Sequence, residues 1–548
     1  MAHSTEPPFP QALLDAFRRR PASVAFEHRS RTVTRGEVLA LVTRCAAGLR
    51  AAGLGPGSSL AVATGVTPEG FAAQIAGHLL GCRVTGLRPG LTPHQLAHVL
   101  AGGIDTVVTD AATARPELLA AARELPVLRL EADLLAAHPH SEALPGRDLV
   151  ARGRPDDIAL VHLTSGSTGH PKGCALTYRA LTASWSWQPA RWDARTTRLA
   201  AGYRRYLLFG TLTSAVMFEH LGLCLLGGGT AVIPDPPLEF PQVIERHRIT
   251  ALLMTVPRLH HVLDALRDEG PAGHTDLSGL RVLIVAGSPL APHKLAEAVR
   301  LIGPAVHHAY GQTETGMLTL LTPDDLAHRA DATPSADGAL SSVGRPWART
   351  ELTVRDAAGD PLPTGGTGEI WVRTPCAMAG YWQDPKETAE VLRGGWVRTR
   401  DIGHLDDEGR LHLTGRGRDV VIVNAVVHYT GPIEQAVAAH ADVDQAYVVA
   451  APDEHTGEAA HAFVVPAPGR TPDLAALRER VAAELGVTGI PSTLTLVTDV
   501  PVAASGKPDK RALLTRIPPP RTTTRAEPRG QRPAGQRPSG QASADHAR

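Results

Sequence analysis

Long hydrophobic runs are missing from this sequence. Nowhere in its 548 residues is there an apolar stretch of about 20, the length that spans a bilayer, so no membrane span is expected. The longest apolar segment, near residues 221–233, is interrupted by Gly227, Gly228 and Gly229 and reads as buried helix, turn and strand. Cysteine is scarce. Cys45, Cys82, Cys174, Cys224 and Cys376 are far apart and form no C-x-x-C pair, which argues against a disulfide framework and against a zinc site. A reducing cytoplasm is the expected setting. The opening Met1-Ala2-His3-Ser4 leads into no charged and then apolar segment, so no secretion signal is expected. An excess of one charge is missing too: 55 Lys and Arg balance 55 Asp and Glu. Nothing electrostatic points to nucleic acid or an anionic membrane as partner.

What is present is enough chain for several domains. Up to about residue 136 helical and strand patterns alternate: helical periodicity over 36–49, short apolar strands near 60–63 and 106–108. Further strands are expected at 158–163, 251–255, 281–286 and 305–310. This rhythm predicts an α/β fold with largely parallel sheets covered by helices. Past Gly344 short strands with Gly/Pro turns take over, at 351–355, 369–373 and 410–414. A compact α+β segment follows, with helices expected at 432–439 and 472–485. The expected division is a large N-terminal domain with a β-rich subdomain (1–416), a small C-terminal domain (417–516) and a basic tail (517–548). The tail has almost no large apolar residues and cannot bury enough surface to order itself.

Two loops carry chemistry. The first is Thr164-Ser165-Gly166-Ser167-Thr168-Gly169-His170-Pro171-Lys172-Gly173, directly after a strand. Small residues expose backbone N–H groups, hydroxyls add donors and Lys172 adds a point charge, a set that can wrap a polyphosphate. The spacing is not that of G-x-x-x-x-G-K-[ST]. A flexible linker shares the composition, but linkers rarely end in Pro-Lys-Gly after a buried strand. The second is Ala309-Tyr310-Gly311-Gln312-Thr313-Glu314-Thr315-Gly316 at another strand end, where α/β proteins place ligands. An aromatic can stack on a base, a threonine can reach a phosphate and a glutamate can hold Mg²⁺.

These segments, in this order, resemble the signature motifs of the class I adenylate-forming superfamily, which includes acyl- and aryl-CoA synthetases, peptide-synthetase adenylation domains and firefly luciferase. The resemblance spans nearly the whole chain. Gly368-Glu369-Ile370 with Gly380-Tyr381-Trp382, Arg398-Thr399-Arg400-Asp401, Gly415-Arg416-Gly417-Arg418-Asp419 and Ser505-Gly506-Lys507 resemble its later motifs. The resemblance implies ATP and Mg²⁺ as cofactors, a small carboxylic acid as substrate, and CoA or another small nucleophile as acceptor. It implies that Thr164, Ser165, Gly166, Ser167, Thr168, Gly169 and Lys172 bind pyrophosphate. Tyr310 would stack on adenine, Thr313 would contact the α-phosphate and Glu314 would bind the metal. Asp401 and Arg416 would hold the ribose, and Lys507 would bridge the carboxylate and the α-phosphate. It also implies a C-terminal domain that swings about the hinge near Arg418 between two half-reactions.

The sequence departs from the family pattern in four places. No histidine occurs over Tyr206-Leu207-Leu208-Phe209-Gly210, where the family carries one near an aromatic. Arg400 replaces the glycine before the ribose aspartate, and Arg418 stands at the hinge. Asn424-Ala425 replaces the Gly-Gly that lets a pantetheine arm pass close to the backbone in CoA ligases. The adenylating half is complete; the acceptor is open. The leading expectation is an acyl- or aryl-CoA-type ligase. The alternatives are a natural-product enzyme with an amine or nitrite as second substrate, or a non-catalytic nucleotide- or acid-binding protein. Few aromatics and many Leu and Ala suggest an apolar acid pocket, with Val256, Ala286, Gly287 and Ser288 as candidate lining.

Overall fold

The computed structural model describes residues 6–136, 149–164, 171–269, 275–327, 341–417, 419–423, 426–453, 456–503 and 506–517. The expected tail lies outside these, apart from Ile517. Strands such as Val282–Ala286 (VLIVA) are apolar on both faces and buried along almost their whole length, the signature of parallel strands covered by helices on each side. They form the centre of a nine-stranded sheet. Its order is Arg345–Pro346, Gly316–Leu321, Val306–Gln312, Val282–Ala286, Ala251–Thr255, Arg205–Leu207, Thr230–Ile233, Val24–His28 and Arg31–Thr34. Ala251 pairs with Val282 and Leu283 with Val306, both in parallel register. At one edge Gly316–Leu321 turns back antiparallel on Val306–Gln312.

A second sheet of seven strands runs Gly380–Tyr381, Lys172–Thr177, Ile158–Thr164, Arg83–Gly86, Ser59–Ala63, Thr106–Thr109 and Val127–Arg129. The helix Pro68–Leu79 has eleven of its residues buried and packs on Arg35–Ala51. The latter starts on a capping box between Thr34 and Glu37, which satisfies two otherwise orphaned backbone donors.

The β-rich part is a five-stranded antiparallel sheet built on Glu351–Arg355, Gly368–Arg373 and Trp396–Leu405, with Leu411–Arg416 paired to the last. The C-terminal part has its own five-stranded sheet. The helices Thr430–Ala438 and Leu474–Leu485 cover that sheet over a separate core of Val421, Ile433, Val437, Val448, Ala462, Leu477 and Val481. Strands Ala251–Thr255 and Glu351–Arg355 occupy the residues expected for them. The expected helix at 432–439 begins earlier, at Thr430. No described helix is long and apolar enough to cross a membrane.

Candidate active site

The two chemical loops leave neighbouring strand ends. Ile158–Thr164 and Lys172–Thr177 pair antiparallel with Thr164 opposite Lys172, and the Thr164 hydroxyl donates to the Lys172 carbonyl at 3.3 Å. Ser165, Gly166, Ser167, Thr168 and Gly169 lie outside the described residues, as do Arg418, Asn424, Ala425 and Ser505. Lys172 Nζ pairs with Glu387 at 2.8 Å and lies 5.4 Å from the centre of the Tyr381 ring. Arg400 holds the same Glu387 at 2.6 Å. Burial opposes ionisation of Glu387, and the two cations outweigh it, bringing its pKa down to about 2. An arriving polyphosphate would compete with Glu387 for Lys172.

Val306–Gln312 delivers the second loop. A Cβ on Gly311 would collide with the Gly316 carbonyl oxygen, so the turn closes only with glycine there. The loop backbone is pinned from behind: Met378 N–H donates to the Glu314 carbonyl at 2.8 Å, and Cys174 Sγ to that of Thr313 at 3.4 Å. Tyr381 Oη donates to Glu314 Oε1 at 2.8 Å, which joins the Lys172 cluster to this loop. Tyr310 Oη donates to Asp401 Oδ2 at 2.5 Å, and Arg416 Nε to Asp401 Oδ1 at 3.0 Å. Asp401 and Arg416 sit opposite each other on adjacent strands. Burial raises the Asp401 pKa, opposed by the Arg416 charge and the Tyr310 hydroxyl.

Lys507 comes from the other end of the chain. Ala503 N–H donates to the Lys507 carbonyl and Gly506 N–H to that of Ala503, each at 2.8 Å. Gly506 has φ +77, a left-handed value suited to glycine. The turn carries Lys507 over the ends of Ala251–Thr255 and Val282–Ala286: a Cβ on Gly287 would lie 3.5 Å from Lys507 Cε. Burial and then Arg416 hold the lysine pKa below its usual value, with Glu314 and Asp401 opposing. Glu314, Asp401, Arg416 and Lys507 thus lie within electrostatic reach of one another, with Tyr310 bonded to Asp401. Among the described residues no three His, Cys, Asp or Glu converge on a metal position. A lone carboxylate such as Glu314 suits Mg²⁺, which commonly takes one or two carboxylates and completes its shell with phosphate and water oxygens.

Sequence reading missed Glu387 and Glu219. Glu387 lies in a short helix of ordinary composition, Pro385–Val391, and gave no signal. Glu219 had one: it is the only acid in the apolar helix Ala215–Leu226.

Sequence models describing the AMP-binding enzyme and the AMP-binding enzyme C-terminal domain match residues 13–382 and 432–507. The chain belongs to the AMP-binding enzyme family. It is 32% identical over 502 residues to a feruloyl-CoA synthase of an Amycolatopsis species, covering 89% of this chain and 95% of that one. The medium/long-chain-fatty-acid–CoA ligase FadD8 of Mycobacterium tuberculosis is 29% identical over 515 residues, 88% of this chain and 86% of its own. The solved structure of the amide bond synthetase McbA from Marinactinospora thermotolerans superposes with TM-score 0.79 at 33% identity, covering 92% of this chain and 98% of that one. ATP-bound MatB from Rhodopseudomonas palustris shares the fold, with TM-score 0.77 at 24% identity over 92% of this chain and 98% of its own. The chain is thus an AMP-binding enzyme of the AMP-forming, acid–CoA ligase type.

Proposed function

We propose that this enzyme uses ATP and Mg²⁺ to activate a small carboxylic acid, aryl or short alkyl, as an acyl adenylate. Pyrophosphate leaves, and the acyl group passes to CoA or another thiol. The observation that carries this reading is the placement of Lys507 beside Gly287, in one electrostatic cluster with Glu314, Asp401 and Arg416.

A carboxylate is a weak nucleophile, and its attack on an anionic α-phosphate requires charge neutralisation. In this reading Lys507 bridges the two anions and holds them in line. Mg²⁺ on Glu314 supplies Lewis-acid neutralisation of the phosphates. Asp401 accepts from the ribose hydroxyls, Arg416 reaches the same sugar and Tyr310 stacks on adenine. Thr313 contacts the α-phosphate, and Lys172 with residues 164–169 receives pyrophosphate. The working division keeps residues 1–416 as the AMP-binding domain, 417–516 as the lid that brings Lys507, and 517–548 as a tail.

A second reading replaces the thiol by an amine, giving an amide synthetase, or by nitrite, giving a diazotising enzyme. Asn424-Ala425 in place of Gly-Gly favours it, and so does the 33% identity to an amide bond synthetase.

With ATP, Mg²⁺ and a panel of aliphatic and aromatic acids, labelled pyrophosphate is expected to exchange into ATP. Absence of exchange with every acid would overturn carboxylate activation. Adding CoA, amines or nitrite in turn, with mass detection of the product, identifies the acceptor. Lys507→Ala is expected to abolish adenylate formation while ATP binding is largely kept; unchanged adenylate formation would refute the role given to it.

A further inference from the structure

Glu219 is the one acid in a helix whose buried residues, His220 apart, are apolar or glycine. Its neighbours Met217, Phe218, Leu221 and Leu225 are buried in Ala215–Leu226. Burial lifts its pKa to about 8, opposed only by a hydrogen bond from the Met317 backbone. Oε2 is sealed from solvent and has no hydrogen-bond partner. The residue as a whole keeps intermediate access.

The Glu219 carboxyl adjoins the loop that carries Glu314. A Cβ on Gly316 would come within 2.5 Å of Glu219 Oε1, and Gly316 is two residues past Glu314 in the same loop. Two more polar atoms around these strand ends, Gln312 Nε2 and Ser288 Oγ, are also buried without partners. Ser288 follows Gly287, the residue against which Lys507 rests. Native proteins pair nearly all buried polar atoms. Ser288 Oγ, Gln312 Nε2 and Glu219 Oε2 are three unpaired atoms on three separate elements close to the Lys507 and Glu314 positions, and a polar group of a bound molecule would pair them.

We infer that Glu219 is a specificity residue that receives an amino or hydroxyl group at the end of the acid remote from its carboxylate. This rests on the carboxylate-activating reading above. Lys507 draws the acid's carboxylate to the Gly287 end, and the far end of the molecule meets the carboxyl of Glu219. In its neutral form that carboxyl accepts from an N–H or O–H donor and can donate in return. An acid ending in a methyl group leaves Oε2 unpaired, so the site discriminates by an unmet hydrogen bond, the stronger kind of selection.

Pyrophosphate exchange is measured on the full chain with matched acids: benzoates and short alkanoates bearing a terminal amino or hydroxyl group, each against its methyl analogue. Wild type is expected to favour the donor-bearing member at least tenfold in kcat/KM. Glu219→Met is expected to erase or reverse that ratio without changing KM for ATP, and Glu219→Gln, which keeps an acceptor, to retain it. Equal use of both members by wild type overturns the inference and leaves acid activation standing; so does an unchanged ratio in folded Glu219→Met. Exchange with no acid at all overturns acid activation instead. Calorimetric binding of the same pairs then decides Glu219 by itself: a tenfold tighter donor-bearing member supports it, and equal binding refutes it. The wild-type comparison also decides the matter if Glu219→Met does not fold.

Discussion

Arg400 occupies a backbone conformation that an arginine normally avoids. Its φ is +61, and a left-handed residue with a Cβ costs roughly 1–2 kcal/mol. Ion pairs to Glu387 at 2.6 Å and Glu390 at 2.9 Å offset the strain. Glu387 is shared with Lys172, so Arg400 also competes for the carboxylate that restrains this lysine, the residue proposed to receive pyrophosphate. Arg400→Gly is therefore expected to relieve the backbone but tighten Lys172 on Glu387, raising KM for ATP about three- to tenfold with less change in kcat. Steady-state kinetics at varied ATP checks this; an unchanged KM would show that Lys172 is not restrained by Glu387. The pair has an acid signature as well. The Glu387 pKa is lowered from 4.5 to about 2, so its contribution to stability is present above the unfolded value and lost as pH falls through the folded one. Glu387→Gln is expected to flatten that acid limb in thermal melts between about pH 5 and pH 2. The sequence revealed that Arg400 stands where the family has glycine. It could not reveal the compensation, because Glu387 and Glu390 have no periodic relation to Arg400 and meet it only in the folded chain.

At the level of elements, the strands that sequence reading located are those whose signal is local. Ala251–Thr255 is a continuous apolar run buried on both faces, so composition alone marks it. The return strand Gly316–Leu321 escaped notice because it follows Thr-Glu-Thr, which reads as loop. Its identity depends on pairing with Val306–Gln312. The turn that presents Lys507 was legible as a motif, but not the surface it docks on. Gly506 combines φ +77 with a close approach: a Cβ there would lie 3.1 Å from Thr255 Cγ2. Gly506→Ala is expected to strain the turn by about 1 kcal/mol or more and to push Lys507 away from Gly287. Pyrophosphate exchange should fall at least tenfold with ATP affinity nearly unchanged. Adding Thr255→Ser removes the opposing methyl and should restore part of the lost rate, since it relieves the contact and leaves the backbone strain. Full activity in Gly506→Ala would mean that Lys507 is not positioned by this turn.

Over the whole molecule, zero net charge conceals a concentrated ionic contact between the large part of the chain and its C-terminal sheet. Lys294, on the helix Pro292–Ile302, is 2% exposed and pairs with Asp444, 10% exposed, at the start of the strand Val443–Asp453. Glu297 also holds Lys294, at 3.1 Å, and Arg267 holds Glu297 at 2.9 Å. His293 Nε2 donates to the Asp444 carbonyl at 3.3 Å. Burial works against ionisation of Asp444, but Lys294 outweighs it and keeps the carboxylate charged. A lysine this deeply buried is satisfied in full only while the C-terminal sheet is docked, so the pair favours the arrangement that seats Lys507 by Gly287. Removing one partner of a buried pair leaves an under-compensated charge, whereas replacing both by apolar groups is often close to neutral. Asp444→Ala is accordingly expected to slow pyrophosphate exchange about tenfold, equivalent to about 1.4 kcal/mol. The double variant Lys294→Met with Asp444→Ala should lie nearer wild type than Asp444→Ala alone. Because the contact is buried, raising the salt concentration should change this difference little. If Asp444→Ala exchanges at the wild-type rate, docking of the C-terminal sheet does not depend on this pair, and the placement of Lys507 rests on the turn at Gly506 alone.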